Sequence, residues 1–561
     1  MPSMWRTVRD MIPLFQESSE SLARQPTPPR PTSSSKEEKP WTGLPRYSTN
    51  LDEDATEAAD NDPLLQPTDV TEYAKLTTIL DAAELQLTFY YDEPGLVPPL
   101  AQQLHCDEEH IGNGDLSPEW GMNIEVTGAT ISYGPWADRQ RGILQEMFFP
   151  GVYEDTYVGP RLNPGDRRVY AYFKVLVEFK NAVTLKIPTK EKSKDWKYSA
   201  QYLRSSIDQR VTTRPFGWIE MKAGAESTIT YHMGLTPRHD GWTNFMNLEL
   251  RKLQVTTSVN YGLLSEADGV RVQCDLSNPL KWNELHKWAF NFTIFKPSIF
   301  LLRDHITLLT DCGADWTNET GDYATWIPYI YTLNFNLVDF SLFLNVNDGN
   351  IISSPSELNE NSYVAFRGAK FSAKAIVPSD KISPIEHNVD FELACPSLTM
   401  TIHAPLWNTL SILLSQREVG QFHKLEVTGS YTYPSDVSRN NIETLDMQVS
   451  ASYCSVVFYG FVLRYFFNVR NNYFGDHTQF VTLEEYQKDA RMSAPASIHS
   501  TGKKPPVSNV LDVILAIEVN KGALIMPSRL YEMSEGIRMH FDMLQADVRF
   551  MDYYMGTPIS D

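Results

Sequence analysis

Apolar and polar residues alternate along most of the chain from about Leu85 onward. A period of two residues is typical of β-strands that have one apolar and one polar face. Helical patterns are scarce, and residues 71–83 and 406–417 are the best candidates. The pattern therefore predicts a mainly β fold of many strands and few short helices. The clearest apolar ladders are Phe173, Val175, Val177 and Phe179; Leu333, Phe335 and Leu337; Leu425 and Val427; and Val513, Leu515 and Ile517.

The apolar positions change parity in two places inside a continuous run. Apolar residues are odd-numbered up to Leu337 and even-numbered from Phe340 onward, and the same switch follows Leu393. A shift of one residue turns every following side chain to the other face of a sheet. We therefore expect a bulge, kink or tight turn at residues 338–339, and another beside Pro396.

One-sided strands must bring their apolar faces out of water, and two arrangements achieve this. The sheet can close so that the apolar faces meet, or it can form a groove that these faces line. The period alone does not decide between them.

Two segments interrupt the strand pattern. Residues 1–70 are rich in Pro, Ser and acidic side chains, and residues 492–508 in Ser, Pro and Lys. Such compositions are typical of disordered chain. The sequence thus predicts a disordered segment over 1–70, β modules over 71–491, a flexible linker over 492–508 and the truncated start of a further β module over 509–561.

The formal net charge of -21 limits the range of partners. Nucleic-acid binding requires clustered Lys and Arg, so we expect no nucleic-acid partner. The five cysteines form no CxxC pair, which indicates neither a disulfide framework nor a zinc cluster and favours a cytosol-facing location. The sequence has no apolar run as long as a transmembrane helix and no signal-peptide pattern at its start.

Candidates for catalysis are few. The sequence has no phosphate-binding glycine loop, no GxSxG motif and no HExxH motif. The string HCDEEH at residues 105–110 contains metal-ligand types, but they are adjacent within a loop-like stretch. A polar turn explains Arg303, Asp304 and His305 as well as an acid–base group does. We therefore predict no catalytic residue, no metal site, no cofactor and a protein that is not an enzyme.

Five long strings resemble segments of one family. The family comprises the fungal cold-sensitive-for-fermentation (Csf) proteins and their animal relatives, Tweek and the bridge-like lipid-transfer proteins. The resemblance extends over residues 120–490 and points to the N-terminal region of the family. The strings are YGPWADRQR at 133–141, LKIPTKEKSKDW at 185–196, KPSIFLLRDHITLL at 296–309, DFSLFLNVNDGNII at 339–352 and YFFNVRNNYFGDHTQFVTLEEY at 465–486.

The resemblance implies elongated, twisted antiparallel sheets of the repeating β-groove type, along which phospholipid moves between two membranes. It also implies a location at endoplasmic-reticulum contact sites, on the cytosolic face of membranes, and a link to phosphatidylethanolamine supply and GPI-anchor synthesis. The expected partners are phospholipids, with membranes contacted through other parts of a longer protein. The twelve ladder residues would line the groove, although each ladder fits an ordinary core under a helix or second sheet equally well.

Members of this family are several times longer and begin with a membrane-spanning anchor that this sequence lacks, so we expect a truncated gene model or an excised fragment. Three functions remain open. The chain could be a lipid-binding groove, a β-rod scaffold or tether that carries no lipid, or a secreted β-sandwich such as a lectin or glycosidase. The last is the weakest, because neither a signal peptide nor a plausible carboxylate pair is visible.

Overall fold

The two segments predicted to be disordered or flexible, 1–70 and 492–508, lie outside the residues that the structure describes, and so does the HCDEEH string. The predicted segment boundaries therefore stay predictions. The computed structural model describes residues 79–99, 117–148, 154–192, 216–258, 262–305, 308–309, 312, 326–382, 384–409, 411, 418–434, 442–474, 481–483, 486–487, 509–529 and 535–554.

The described part of the chain folds into one β-sheet of twenty strands with two long helices, α1 (Pro135–Phe148) and α2 (Val462–Phe474). The predicted mainly β fold is confirmed. The helix candidate at 71–83 is wrong from Leu80 onward, because the alternation of the first strand extends back to that residue. The strands are β1 (Leu80–Tyr91), β2 (Glu119–Ser132), β3 (Tyr172–Phe179), β4 (Val183–Lys192), β5 (Phe216–Ala223), β6 (Ser227–Gly234), β7 (Trp242–Thr257), β8 (Gly262–Asn278), β9 (His286–Phe295), β10 (Ser298–Leu301), β11 (Tyr329–Asn345), β12 (Tyr363–Ser379), β13 (Glu386–His403), β14 (Glu418–Pro434), β15 (Ile442–Ala451), β16 (Tyr453–Val457), β17 (Asn509–Val519), β18 (Gly522–Pro527), β19 (Gly536–Phe541) and β20 (Leu544–Tyr554).

Backbone pairing arranges these strands at fourteen positions across the sheet. Eight positions hold one strand, and six hold two strands that follow each other in line. At about 4.8 Å between neighbours, the fourteen positions span about 60 Å. Their order is β1, β2, β3 with β4, β6 with β5, β7, β8, β9 with β10, β11, β12, β13, β14, β15 with β16, β17 with β18, and β20 with β19.

Neighbouring positions are antiparallel except at three junctions. The parallel neighbours are β2 with β3 and β4, β9 and β10 with β11, and β15 and β16 with β17 and β18. Parallel neighbours require a crossover, and the chain supplies one at residues 133–171, 302–328 and 458–508. The junctions are five positions apart, so the sheet repeats a unit of five antiparallel positions and a crossover. The antiparallel arrangement predicted from the family resemblance holds within each unit.

One cross-strand row shows why these strands associate. It takes one residue from each of the fourteen positions, and each residue is paired with the next across the sheet. All fourteen are apolar, so the alternation of every strand is in register with that of its neighbours. The row consists of Leu87, Ile124, Val177, Ile229, Leu248, Val272, Phe292, Phe335, Ala373, Leu393, Val427, Val449, Ile517 and Ala546.

A line of irregular residues crosses the sheet and accounts for the parity switches. Asp339 has a φ of 54°, and its neighbours along this line include Lys296 (48°) and Lys252 (51°). At the second switch the left-handed residue is Lys424 (49°), which lies on β14 opposite Pro396. The kink predicted at residues 338–339 is confirmed, and the one predicted beside Pro396 lies on the paired strand.

The apolar face continues across this line. Val126 and Ala129 lie on either side of Gly128, whose φ is 59°, yet they pack in one hydrophobic cluster with Phe179 and Val183. A left-handed residue interrupts the alternation of a strand, so residues three apart can share a face. The line of irregular residues therefore bends the sheet without moving the apolar side chains to the other face.

This line divides the apolar face into two parts. We call the part on the Leu333 side the long limb and the part on the Leu342 side the short limb. Each crossover leaves the sheet at the short-limb edge and re-enters it at the long-limb edge, as between Leu301 at the end of β10 and Tyr329 at the start of β11. Both long helices follow strands that end at the short-limb edge.

The left-handed conformation of Asp339 makes it sensitive to branched side chains. We expect Asp339→Val to destabilise the fold by about 1–2 kcal/mol, because a β-branched residue clashes with the backbone at positive φ. Asp339→Gly should be neutral or stabilising, because glycine adopts this conformation without strain. Urea unfolding measures both changes.

The matched control is Asp390→Val, at an exposed position with regular strand conformation in β13. Valine favours strands, so this change should cost little. Equal losses at 339 and 390 would contradict a special backbone conformation at Asp339.

Candidate functional site

The structure places all twelve ladder residues predicted from the sequence on the apolar face of the sheet. They come from four strands, β3, β11, β14 and β17, and occupy four adjacent cross-strand rows of the long limb. The first row contains Val177, Phe335, Val427 and Ile517; the second Val175, Leu333 and Leu515; the third Phe173 and Val513; and the fourth Phe179, Leu337 and Leu425.

The first row is open along its whole length. Thirteen of its fourteen residues are half-buried, none is fully buried, and Leu87 at the β1 edge is 58% exposed. All twenty described strands belong to one sheet, so no second sheet from the described residues covers this face. Part of each of these side chains is therefore accessible to solvent, whereas Phe173, Phe179 and Val513 in the neighbouring rows are buried.

The hydrophobic clusters on the long limb support the same interpretation. One cluster contains Phe173, Tyr231 and Cys274, and the other contains Val126 and Phe179. Their members come from strands, apart from Leu235 immediately after β6. The clusters are therefore formed by side chains of the sheet itself.

The opposite face of the long limb is polar. Asn334 on β11 pairs with Asn291 on β9, and the two side-chain amides form a hydrogen bond of 2.8 Å. The same cross-strand row continues through Gln273 and Asn247 on one side and through Lys374 on the other. Water can form hydrogen bonds with this polar face, so in the long limb only the apolar face has to be shielded from water.

Aromatic side chains are concentrated near the long-limb edge. The rings of Trp120 and Phe173 are 4.3 Å apart, those of Trp288 and Tyr331 are 6.2 Å apart, and Tyr431 stacks on Tyr433. Burial raises the pKa values of Tyr331 and Tyr433, so their hydroxyl groups stay neutral. Tyr and Trp combine an apolar body with a polar tip and suit a boundary between apolar and wet regions.

Helix α2 covers part of the short limb. Its residues Val462 and Tyr465 belong to a buried cluster with Val364, Met400 and Val419, which come from β12, β13 and β14. The helix follows β16, and the hydroxyl of Tyr473 donates a hydrogen bond of 2.6 Å to the carbonyl oxygen of Leu301 at the end of β10. The helix thus runs along the short-limb edge and back across several strand ends.

A ladder of three side chains one turn apart fixes α2 to the end of β11. The guanidinium of Arg464 pairs with Asp348, and the amide of Asn468 donates to the Val346 carbonyl oxygen at 2.9 Å and to Asp348. The amide of Asn472 donates to the Asn347 carbonyl oxygen at 3.0 Å. Residues at i, i+4 and i+8 share one side of a helix, so one flank of α2 is bound to the strand end.

Three of the strings that carry the family resemblance meet at this helix. The string at 465–486 contains most of α2, the string at 339–352 contains its hydrogen-bond partners, and the string at 296–309 contains Leu301. The segment after α2 adds two backbone hydrogen bonds, from Ile352 to Val481 at 2.9 Å and from Val481 to Asn350 at 3.0 Å. The strings are recognisable in the sequence but their contact is not, because spacing along the chain does not encode which strand ends are neighbours.

The described residues show no arrangement typical of catalysis. They contain no group of three or more His, Cys, Asp and Glu that could hold a metal ion. His305 is fully buried and accepts a hydrogen bond at Nδ1 from the backbone N–H of Leu302, which fixes a short helical turn after β10. Burial lowers the pKa of His305 to about 4, so it is neutral near pH 7.

The described residues contain no helix that is both long and apolar enough to cross a bilayer. The described cysteines, Cys274, Cys312, Cys395 and Cys454, are unbridged.

Arg464, Asn468 and Asn472 together form a clamp that holds α2 at the end of β11. This clamp should depend on the buried side-chain amide of Asn472. We expect Asn472→Ala to weaken the attachment of α2 by about 1–3 kcal/mol, because the change leaves the Asn347 carbonyl oxygen without its side-chain donor. Hydrogen exchange of the α2 amides measures the loss. Asn471→Ala, at the exposed neighbouring position, is the control and should leave protection unchanged; equal loss of protection in both variants would argue against the clamp.

The buried His305 should make stability depend on pH. Its folded-state pKa lies below the ordinary value, so the unfolded chain binds the proton more readily and stability falls as the pH drops from about 6.5 towards 4. We expect a loss of about 2 kcal/mol between about pH 7 and pH 5 that is absent in His305→Gln, a residue that retains the capping hydrogen bond. Urea unfolding of both proteins at each pH checks this, and parallel pH profiles would contradict it.

Comparison with known proteins identifies the family of the chain. Residues 3–505 match the family described as the Csf1 N-terminal region. Protein CSF1 of Saccharomyces cerevisiae is 30% identical over 549 residues, covering 92% of this chain and 18% of that protein. Protein CSF1 of Eremothecium gossypii is 29% identical over 562 residues, covering 93% of this chain and 19% of that protein.

An animal relative matches a shorter stretch. Bridge-like lipid transfer protein family member 1 of Mus musculus is 26% identical over 333 residues, covering 58% of this chain and 6% of that protein. The chain spans less than a fifth of the length of the curated relatives it matches. Together the match over residues 3–505 and these relatives show that the chain belongs to the fungal Csf family of bridge-like lipid-transfer proteins.

Proposed function

We propose that the chain is a lipid-binding groove segment, in which the apolar face of the long limb holds the acyl chains of phospholipids. The observation that carries this proposal is the cross-strand row of fourteen apolar residues, none of which is fully buried. An ordinary core would place most of such a row out of contact with solvent. The twelve ladder residues, including Leu333 and Phe335, are the proposed lining.

The energetics of lipid transfer favour such a surface. A two-chain phospholipid in water exposes about 30 methylene groups at about 0.8 kcal/mol each, a barrier of about 24 kcal/mol. A continuous apolar face removes most of this barrier without any covalent step. The proposed role therefore needs no catalytic residue or cofactor, and we infer that the chain is not an enzyme.

The groove has a polar outer face and an aromatic edge, and both fit this role. Lipid headgroups would stay in water at the long-limb edge, where Trp288, Tyr331 and Tyr433 combine apolar rings with polar groups. The acyl chains would lie on the rows through Leu333 and Phe335. The continuity of these rows over fourteen positions supports movement of lipid along the face as well as binding at one place.

The name of the animal relative, a bridge-like lipid transfer protein, is the basis for a wider proposal. We propose that this segment works within a longer protein that moves phospholipid between membranes at organelle contact sites. Endoplasmic-reticulum contact sites, phosphatidylethanolamine supply and GPI-anchor synthesis belong to the same proposal, with phospholipids as the partners of this chain. The alternative, a scaffold or tether that carries no lipid, would have the same sheet but an empty apolar face.

The first test is native mass spectrometry with lipid extraction on the chain purified from cells. We expect several phospholipids per chain and a clear reduction in the double variant Leu333→Asp with Phe335→Asp, because charges on the first two rows oppose acyl chains.

Asn336→Asp is the matched control, because it adds a charge to the polar face of the same strand. It should leave the lipid content unchanged. Circular dichroism monitors the fold of all three proteins, and a folded wild-type chain without lipid would favour the scaffold.

A further inference from the structure

Helix α2 has an exposed apolar flank that is not covered by the described residues. Leu463, Phe466 and Phe467 are 41%, 40% and 55% exposed, and Arg470 is exposed on the same side. A helix turns by about 100° per residue, so these four residues lie within one flank. That flank is distinct from the buried stripe through Val462 and Tyr465.

The hydrogen-bond ladder determines where this flank faces. Arg464, Asn468 and Asn472 attach one side of α2 to residues 346–348, at the end of β11 and therefore at the short-limb edge. The buried stripe packs downward on the apolar face. The exposed flank lies on the side away from the ladder, so it faces inward, across the open rows of the long limb.

We propose that α2 forms a second wall of the groove, and that acyl chains pass between its inward flank and the long limb. The guanidinium of Arg470, in the same proposal, binds the phosphate of that lipid. This inference rests on the proposed function and adds a segment outside the sheet to the lipid path. The occupant is a phospholipid already in the groove, because the flank lies on the side of α2 that faces the apolar rows.

The chemistry of the flank matches that occupant. Three large apolar side chains beside one cation correspond to acyl chains beside one phosphate, which arginine can bind through two N–H groups. The whole chain carries a net charge of -21, and Arg470 places a positive charge beside an apolar surface of this acidic protein, where an anionic group can bind. The clamp holds α2 in place before lipid arrives, which lowers the entropic cost of forming the second wall.

A photo-crosslinking experiment tests the position of the flank. The photoreactive residue benzoylphenylalanine replaces Phe466, and separate proteins carry it at Leu333 in the groove or at Thr428, which is exposed on the polar face. Each protein is mixed with dioleoyl-phosphatidylcholine vesicles and illuminated. We expect lipid adducts at 466 and 333 in similar yield, and at 428 only the background level, measured by mass spectrometry of the intact chain.

The outcomes separate this inference from the proposed function. Adducts at 333 without adducts at 466 would overturn the second wall and leave the groove in place. Adducts at none of the three positions would overturn both. Adducts at 466 without adducts at 333 would show binding to the outside of α2, which also contradicts the inference. Hydrogen exchange of α2 in the 466 protein confirms that the helix is still attached.

The phosphate contact has its own test in the protein with the probe at 466. Arg470→Gln should reduce the adduct yield, because the lipid loses its charged partner, whereas Arg470→Lys should retain most of it. An unchanged yield with Gln would overturn the role of Arg470. The side chain is exposed and outside the clamp, so neither change should detach the helix.

Discussion

The register between neighbouring strands is the constraint on which the other features depend. Each strand has a two-residue alternation of its own, but a continuous apolar face exists only if all fourteen positions pair without a one-residue error. Backbone hydrogen bonds fix the pairing, and the row through Phe335 shows that the register is kept from β1 to β20. A slip at any single position would place a polar side chain in the middle of the apolar face and interrupt it there.

The irregular line satisfies a second constraint, which is curvature. A long strand such as β11 is seventeen residues long and would otherwise be a straight, gradually twisting ribbon. A left-handed residue at Asp339 lets the strand change direction, and similar residues at Lys296 and Lys252 let its neighbours do the same. Because each strand switches parity at this line, the bend leaves both limbs with their apolar side chains on the same face.

Much of this could be predicted from the sequence, and the remainder has an identifiable physical cause. The ladders at 173–179, 333–337 and 513–517 indicated the strands and which residues share a face, and the parity change beyond Leu337 indicated the kink. The second kink was assigned to the strand of Pro396, although the left-handed residue is Lys424 on the opposite strand. Cross-strand partners cannot be derived from the period of one strand.

The helices were harder to anticipate. Residues 135–148 have few apolar residues at helical spacing, and in 462–474 the apolar residues cover two flanks of the helix, so no single apolar face stands out in the sequence. Whether a ladder faces an open groove or a closed core was also beyond the sequence, since the alternation of Phe335 with Asn334 is the same in both. The half-buried state of the whole row, with no second sheet among the described residues, is the observation on which the proposed groove rests.

The five-position unit has a consequence for how such a protein can change length. Five is an odd number, so a chain that enters a unit at the long-limb edge leaves it at the short-limb edge, and the crossover carries it back. Every unit therefore begins in the same direction, and all crossovers start along one rim. Adding or removing a whole unit would change the apolar path by about 24 Å and keep that rim intact. Loss of a single strand would send every later crossover to the opposite rim, so only changes by whole units or by pairs of strands keep the crossovers along one rim.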